Sequence, residues 1–324
     1  MNLRVESPAL ANNPLGDPFV RDLPVIVPDG QDPRAQLPLV FVLSGYSGRG
    51  RMLLNDDPWS EPFDQRVARL TNASQIGPMI YALPDCFTRL GGSQYLDSSA
   101  TGRYESYLWE DLLPLLKARF AVARIGVVGK SSGGYGAMVA AMRHPEIVSA
   151  VASHSGDMGF EYCYLPHFAQ ALRTLERYGG VTGFLSHFSA SNSKKNSSLF
   201  EVIETLAMAA CYGPDPKEPH GFSLPFHPLT GELRDEVWHR WLAWDPVRML
   251  DEPHYADALR RMRLVFLDCG RRDEFSLDLG ARLFAAKLRK LEVAHRHDEF
   301  DDGHMGISYR FDVSLPLLWE ALRS

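Results

Sequence analysis

The chain has 324 residues, 45% hydrophobic and 23% charged, which is the profile of a globular protein and excludes a disordered chain, a collagen or a coiled coil. Against 40 acidic side chains stand 34 basic ones, a net charge of −6, so the surface has no electrostatic reason to seek nucleic acid or anionic lipid. No run approaches the ~18 consecutive apolar residues of a membrane span, and the opening Met1-Asn2-Leu3-Arg4-Val5-Glu6 has no signal-peptide pattern.

The segment from Leu3 to about Val27 reads as antiparallel edge strands. Leu39-Val40-Phe41-Val42-Leu43 is apolar throughout, as a strand buried on both faces should be. Met79 to Leu83 is a second such run, ending at Pro84-Asp85. A helix pattern covers Tyr107 to Phe120, and Ile125-Gly126-Val127-Val128-Gly129 is the third strand. Another helix pattern runs from Ser132 to His144, where Pro145 stops it. Val148 to Ala152 and Leu264 to Leu267 are further strands; a helix over Leu277 to Lys290 and a weaker strand over Leu291 to Arg296 follow. Such alternation implies an α/β fold with a mostly parallel sheet covered by helices on both faces. The four cysteines, Cys86, Cys163, Cys211 and Cys269, form neither a C-x-x-C pair nor a zinc spacing. Reduced, buried thiols in a cytoplasmic protein are expected.

One interval breaks the rhythm. From His154 to Arg263 there are 110 residues, whereas a crossover needs only about 10–12. The expected organisation is therefore a core of residues 1–156 and 245–324 with a helical cap over 157–244. Helix-like stretches within it are Phe168 to Tyr178, Leu199 to Cys211 and Leu233 to Trp244, and the Ser/Asn/Lys run from Ser189 to Ser198 is an expected exposed loop. Trp238, Trp241 and Trp244 recur every three residues and so share roughly one helical face. That face either docks the cap onto the core or forms an aromatic wall over a substrate pocket; the three are candidate substrate-binding residues.

Gly129-Lys130-Ser131-Ser132-Gly133 is a G-x-S-x-G sequence directly after an apolar strand and directly before a helix rich in small residues. That is the setting of a nucleophile elbow, where a strained turn stands the serine above the sheet at a helix N-terminus. Ser131 is the candidate nucleophile. Gly129-Lys130-Ser131 also resembles the end of a phosphate-binding loop, but Arg124 stands where that motif needs glycine.

A serine hydroxyl needs a base to take its proton. Asp273 and His304 follow Ser131 in that order, on loops expected at the carboxyl ends of later strands. Asp268 abuts the last apolar residue of its strand and is expected to cap the strand end or bond nearby loop amides. Asp273 lies beyond Gly270, on a loop free to reach His304. His295 and His297 are expected to be structural, and the acidic run Asp298, Glu299, Asp301, Asp302 to be solvated rather than a metal site. For the oxyanion hole, Ser132 offers one backbone N–H and the loop Ser44-Gly45-Tyr46-Ser47-Gly48-Arg49-Gly50 another, with Tyr46 the chosen donor.

Together these pieces resemble the Putative esterase (esterase D-like) family of α/β-hydrolases. The matching residues are Leu43-Ser44-Gly45-Tyr46, Gly129-Lys130-Ser131-Ser132-Gly133-Gly134, Gly270-Arg271-Arg272-Asp273-Glu274-Phe275 and Asp302-Gly303-His304, with Ser93-Gln94-Tyr95 through Tyr104-Glu105-Ser106-Tyr107 leading towards the elbow. The resemblance implies an α/β-hydrolase fold, a Ser131–Asp273–His304 triad and an oxyanion hole from Tyr46 and Ser132. S-formylglutathione hydrolases of that family carry a cysteine after the oxyanion glycine; Tyr46-Ser47-Gly48 has none, which argues against that activity. The expected function is a serine carboxylesterase acting on a small ester without metal or cofactor. An acyltransferase using the same triad and a non-catalytic binding protein on the same scaffold are the alternatives, and a homo-oligomer is compatible with the sequence.

Overall fold

The computed structural model describes residues 1–28, 30, 35–192, 194 and 197–323. An eight-stranded sheet runs in the order β1-β2-β4-β3-β5-β6-β7-β8. Its strands are β1 (Asn2–Glu6), β2 (Val20–Ile26), β3 (Leu37–Leu43), β4 (Ile80–Ala82), β5 (Val122–Lys130), β6 (Val148–His154), β7 (Leu264–Gly270) and β8 (Arg296–Phe300). β1 and β2 are antiparallel to their neighbours, and every pairing from β4 to β8 is parallel. β3 is buried along its whole length, as strands covered on both faces require.

Helices α1 (Phe63–Asn72), α2 (Leu113–Arg119), α3 (Ser132–Arg143), α4 (Phe168–Arg177), α5 (Val181–Ala190), α6 (Ser197–Tyr212), α7 (Asp235–Leu242), α8 (Pro253–Arg260), α9 (Leu277–Lys290) and α10 (Phe311–Leu322) complete the main elements. α1 and α10 cover one face of the sheet through Phe63, Leu70, Phe311 and Leu315. α2, α3, α9 and the insertion share one continuous apolar cluster on the other face. The helix expected over Tyr107 to Phe120 is split, with a π-helical turn at Tyr107–Leu112 ahead of α2. Pro114 at the start of α2 has no N–H to return to Glu110, so the regular α-helical hydrogen-bond ladder is interrupted there.

Three expectations shift. The last strand is Arg296–Phe300, not Leu291 to Arg296. Leu291 closes α9, Glu292 turns at φ 55°, and Val293 is buried in the core; the strand itself is an edge strand of charged residues, so apolar patterning cannot mark it. Asp268 does not cap β7 but lies inside it, paired in register with His154 and Asp298. The expected loop over Ser189 to Ser198 is in part helical, since α5 reaches Ala190 and α6 starts at Ser197; Ser193, Lys195 and Asn196 lie outside the described residues.

The insertion docks through its aromatic residues. Trp241 is fully buried, with its ring 5.6 Å from Tyr212, 5.5 Å from Phe168 and 5.9 Å from Trp238. Trp238 is buried against Phe168, and Trp244 packs under the Arg143 guanidinium at 5.1 Å. Trp238 and Trp241 share a face of α7, but Trp244 lies in the turn beyond it, and the spacing could not tell which way the face points. Trp241→Ala is expected to lower unfolding stability by about 3–5 kcal/mol, read from urea denaturation; a loss under about 1 kcal/mol would mean that the ring is not part of the core.

Candidate active site

β5 delivers its last residue, Lys130, to the carboxyl edge of the sheet, and α3 leaves again at Ser132. Between them Ser131 takes φ 59° and ψ −129°, a conformation that costs a non-glycine residue about 1–3 kcal/mol. Ser131 N–H donates to His154 O, and Ser131 O accepts from Tyr135 N–H, both at 2.9 Å. Gly133 makes the turn possible, because a Cβ there would stand 2.1 Å from the Leu43 carbonyl oxygen.

His304 Nε2 lies 3.0 Å from Ser131 Oγ, and His304 Nδ1 lies 2.8 Å from Asp273 Oδ2. With the carboxylate accepting, Nδ1 carries the proton and Nε2 is left to accept from the Ser131 hydroxyl. Both His304 and Asp273 are buried. Burial alone would raise the Asp273 pKa, but the His304 bond and the N–H groups of Phe275 and Leu277 hold it below the usual value. The loops meet at Gly270, where a Cβ would stand 2.4 Å from Asp302 O. Glu274, next to Asp273, accepts from the His304 N–H at 2.6 Å, and the Phe275 ring packs edge-on to the imidazole at 4.8 Å.

Ser131 opens into a cavity of about 270 Å³. Gly45 and Tyr46 line it, and a Cβ on Gly45 would stand 3.4 Å from Ser131 Cβ. The Tyr46 phenol is buried and donates to Leu90 O, which fixes the residue from behind. Ser132 begins α3, where an N–H has no partner within the helix. Its Oγ donates to Asp157 Oδ2 at 3.2 Å.

The structure thus brings Ser131, His304, Asp273, Tyr46 and Ser132 together. Trp238, Trp241 and Trp244 do not line this cavity; its aromatic wall is Tyr46, Tyr164, Phe200 and Phe275. Asp157, Glu204, Lys130 and Met305 also line it and were not read from the sequence. Only Lys130, inside the elbow motif, carried a positional signal. The carboxylates around β8 are tied to neighbours: Asp298 to Arg296 at 2.6 Å, Glu299 to Arg282 at 2.5 Å, Asp301 to Arg272, and Asp302 to the Tyr309 hydroxyl at 3.1 Å. Among the described residues no group of three His, Cys, Asp or Glu is arranged to hold a metal ion.

The strand order, with a serine elbow after β5, defines an α/β-hydrolase. The chain belongs to the Putative esterase family, whose model matches residues 21–306. No curated protein matches it in sequence. Among solved structures it is similar to a ferulic acid esterase (TM-score 0.60, 17% identity, 99% of this chain and 97% of that one). It is similar to an S-formylglutathione hydrolase from Agrobacterium tumefaciens (TM-score 0.60, 18% identity, 99% and 94% covered). A fluorophosphonate-binding serine hydrolase from Staphylococcus aureus matches at TM-score 0.60 and 14% identity, with 100% and 98% covered. At these identities the likeness is one of fold.

Two histidine–aspartate pairs stand at this edge of the sheet, and mutation separates them. Asp273→Asn is expected to lower kcat by about 10⁴, because the imidazole would be held in the wrong tautomer. Asp268, 1% exposed, instead accepts from His154 at 2.7 Å and from Arg310 at 2.9 Å. Asp268→Asn is expected to cost about 3 kcal/mol or more in stability and to change kcat by less than about tenfold. Steady-state kinetics with melting temperatures checks both; the reverse pattern would exchange the roles of the two aspartates.

Proposed function

We propose that the protein is a serine carboxylesterase. The observation that carries this reading is the unbroken chain from Ser131 Oγ through His304, at 3.0 and 2.8 Å, to the buried Asp273 carboxylate. Ser131 Oγ attacks the ester carbonyl carbon while its proton passes to His304 Nε2. Asp273 stabilises the imidazolium so formed, and the N–H groups of Tyr46 and Ser132 stabilise the oxyanion. The tetrahedral intermediate collapses, the C–O bond to the alcohol breaks, and His304 Nε2–H protonates the leaving oxygen. A water then gives its proton to His304 and attacks the acyl carbon. Collapse of the second intermediate returns the proton to Ser131 and frees the acid. Family membership supports ester chemistry with a small ester as substrate. The cytoplasm is the proposed site of action, on the strength of four cysteines that are all free and buried.

Ser131→Ala removes one hydroxyl at a turn fixed by its backbone. It is expected to leave the melting temperature within a few degrees, to abolish fluorophosphonate labelling and to lower kcat on a model ester by about 10⁴–10⁶. A purified Ser131→Ala protein that keeps half the wild-type rate would overturn the assignment. An acyltransferase would instead show alcoholysis outrunning hydrolysis when an alcohol is added.

A further inference from the structure

The insertion contributes two carboxyl groups to the wall around Ser131. Asp157 follows β6 and is 6% exposed. Its Oδ2 accepts from Tyr164 at 2.7 Å, Gln94 at 2.9 Å and Ser132 at 3.2 Å, and its Oδ1 accepts from no described residue. Glu204 lies on α6 one helical turn beyond Phe200, so both residues fall on the face turned to the cavity. The Glu204 carboxyl has no hydrogen-bond or ion-pair partner among the described residues. The charged groups that act on it are Asp157 and Glu201, both acidic; the Tyr46 phenol and the Cys163 thiol, both buried, stand in its field, and Tyr164, His304 and Lys130 are the other titratable groups lining the cavity. Lys130, the one lysine among the described residues lining the cavity, stands in the field of Asp273, Asp157 and Glu274.

Glu204 is half-buried, and a carboxyl that loses part of its hydration without gaining a donor carries a cost. Here it is combined with the rings of Tyr46, Phe200, Tyr164 and Phe275 around the same space, with Phe200 edge-on to Tyr46 at 5.5 Å. Aromatic rings plus a carboxyl are the surroundings that attract an alkylammonium group, through ring quadrupoles and direct charge pairing. A substrate anion in this place would meet two acids, with no counter-charge beside Glu204 among the described residues.

We propose that Glu204, assisted by Asp157, selects esters that carry a cationic amine. This deepens the serine-esterase reading and rests on it. The ammonium supplies the counter-ion that none of the described residues gives Glu204, and the apolar rings displace water from its alkyl groups. Either half of the ester can carry the charge, and the test separates them.

Burial and the Asp157 and Glu201 charges raise the Glu204 pKa to about 8 in the free protein. A cation pairs best with the ionised acid. The preference for a permanently charged ester over its neutral isostere should therefore grow as pH rises from 6 to 8.5, while the His304 requirement is common to both esters and cancels in their ratio.

The experiment compares matched esters on the wild-type protein: a 2-(trimethylammonio)ethyl ester against the 3,3-dimethylbutyl ester for the alcohol half, and a trimethylammonio-acyl ester against its tert-butyl isostere for the acyl half. In one of the two arms kcat/KM is expected to favour the cation by at least about tenfold, with a ratio that rises with pH. Glu204→Gln is expected to bring that ratio down by about tenfold and to flatten its pH dependence. Ratios within about threefold of unity in both arms, or a preference that Glu204→Gln leaves intact, overturn the inference while ester turnover upholds the enzyme class. Calorimetry on Ser131→Ala protein reads recognition without chemistry. Tighter binding of the cationic ester there supports the inference even if turnover fails, and equal binding of both isosteres overturns it.

Discussion

The functional geometry depends on one backbone contact: α3 lies directly on the Leu43 carbonyl at the end of β3. A Cβ on Gly133 would be 2.1 Å from that oxygen, and one on Gly129 would be 2.8 Å from it and 2.3 Å from Gly133 O. Any side chain at either position would push helix and strand apart. Because they touch, the chain between them must turn within one residue, and Ser131 is that residue. The same closeness brings the Ser44–Gly50 loop over the serine, so nucleophile and candidate oxyanion donors are set by one packing event. The strain at Ser131 is local and about 1–3 kcal/mol, and the surrounding sheet and helix over-determine it.

Chemistry here is decided by access rather than by the type of side chain. His154–Asp268 and His304–Asp273 are both buried pairs, at 2.7 and 2.8 Å. The other ring nitrogen of His154 meets Ser314 Oγ of α10 at 2.8 Å, inside the core, where no substrate can reach. The other nitrogen of His304 meets a serine on the cavity wall. Asp268 extends its tie through Arg310, whose guanidinium also lies over the Phe300 ring at 4.5 Å. The first pair therefore fastens α10 to the sheet, and the second is free to exchange a proton with a bound molecule.

Much of this was legible in the sequence, for reasons that differ by element. Central strands such as β3 and β5 are apolar on both faces and stand out as runs. The elbow was readable because its glycines are forced by contact, and α9 because its apolar period is regular. β8 was misplaced because an edge strand is charged. α10 went unread because Pro316 interrupts its pattern, and α5 because the polar loop reading began before it ended. The tryptophan face was visible, but period alone does not give its direction; that depends on Phe168, Tyr164 and Tyr212, which no local pattern brings together.

The insertion has two duties that pull on the same residues. Its core-facing side, with Trp241 and Tyr212, closes the apolar cluster, while Asp157, Tyr164, Phe200 and Glu204 face the cavity. Gln94 links the two. It adopts φ 51°, with Tyr95 following at φ 59°, and its amide donates to Asp157 and to the Tyr212 hydroxyl, each at 2.9 Å. Its own Oε1 has no partner among the described residues, so this buried link tolerates both backbone strain and an unmet acceptor. Such a cost persists where position matters more than stability. Gln94 fixes Asp157, Asp157 receives the Ser132 hydroxyl, and Ser132 starts the helix on which Ser131 stands. The wall that meets the substrate is thereby mechanically continuous with the elbow, and changes within the insertion can alter recognition without displacing the serine.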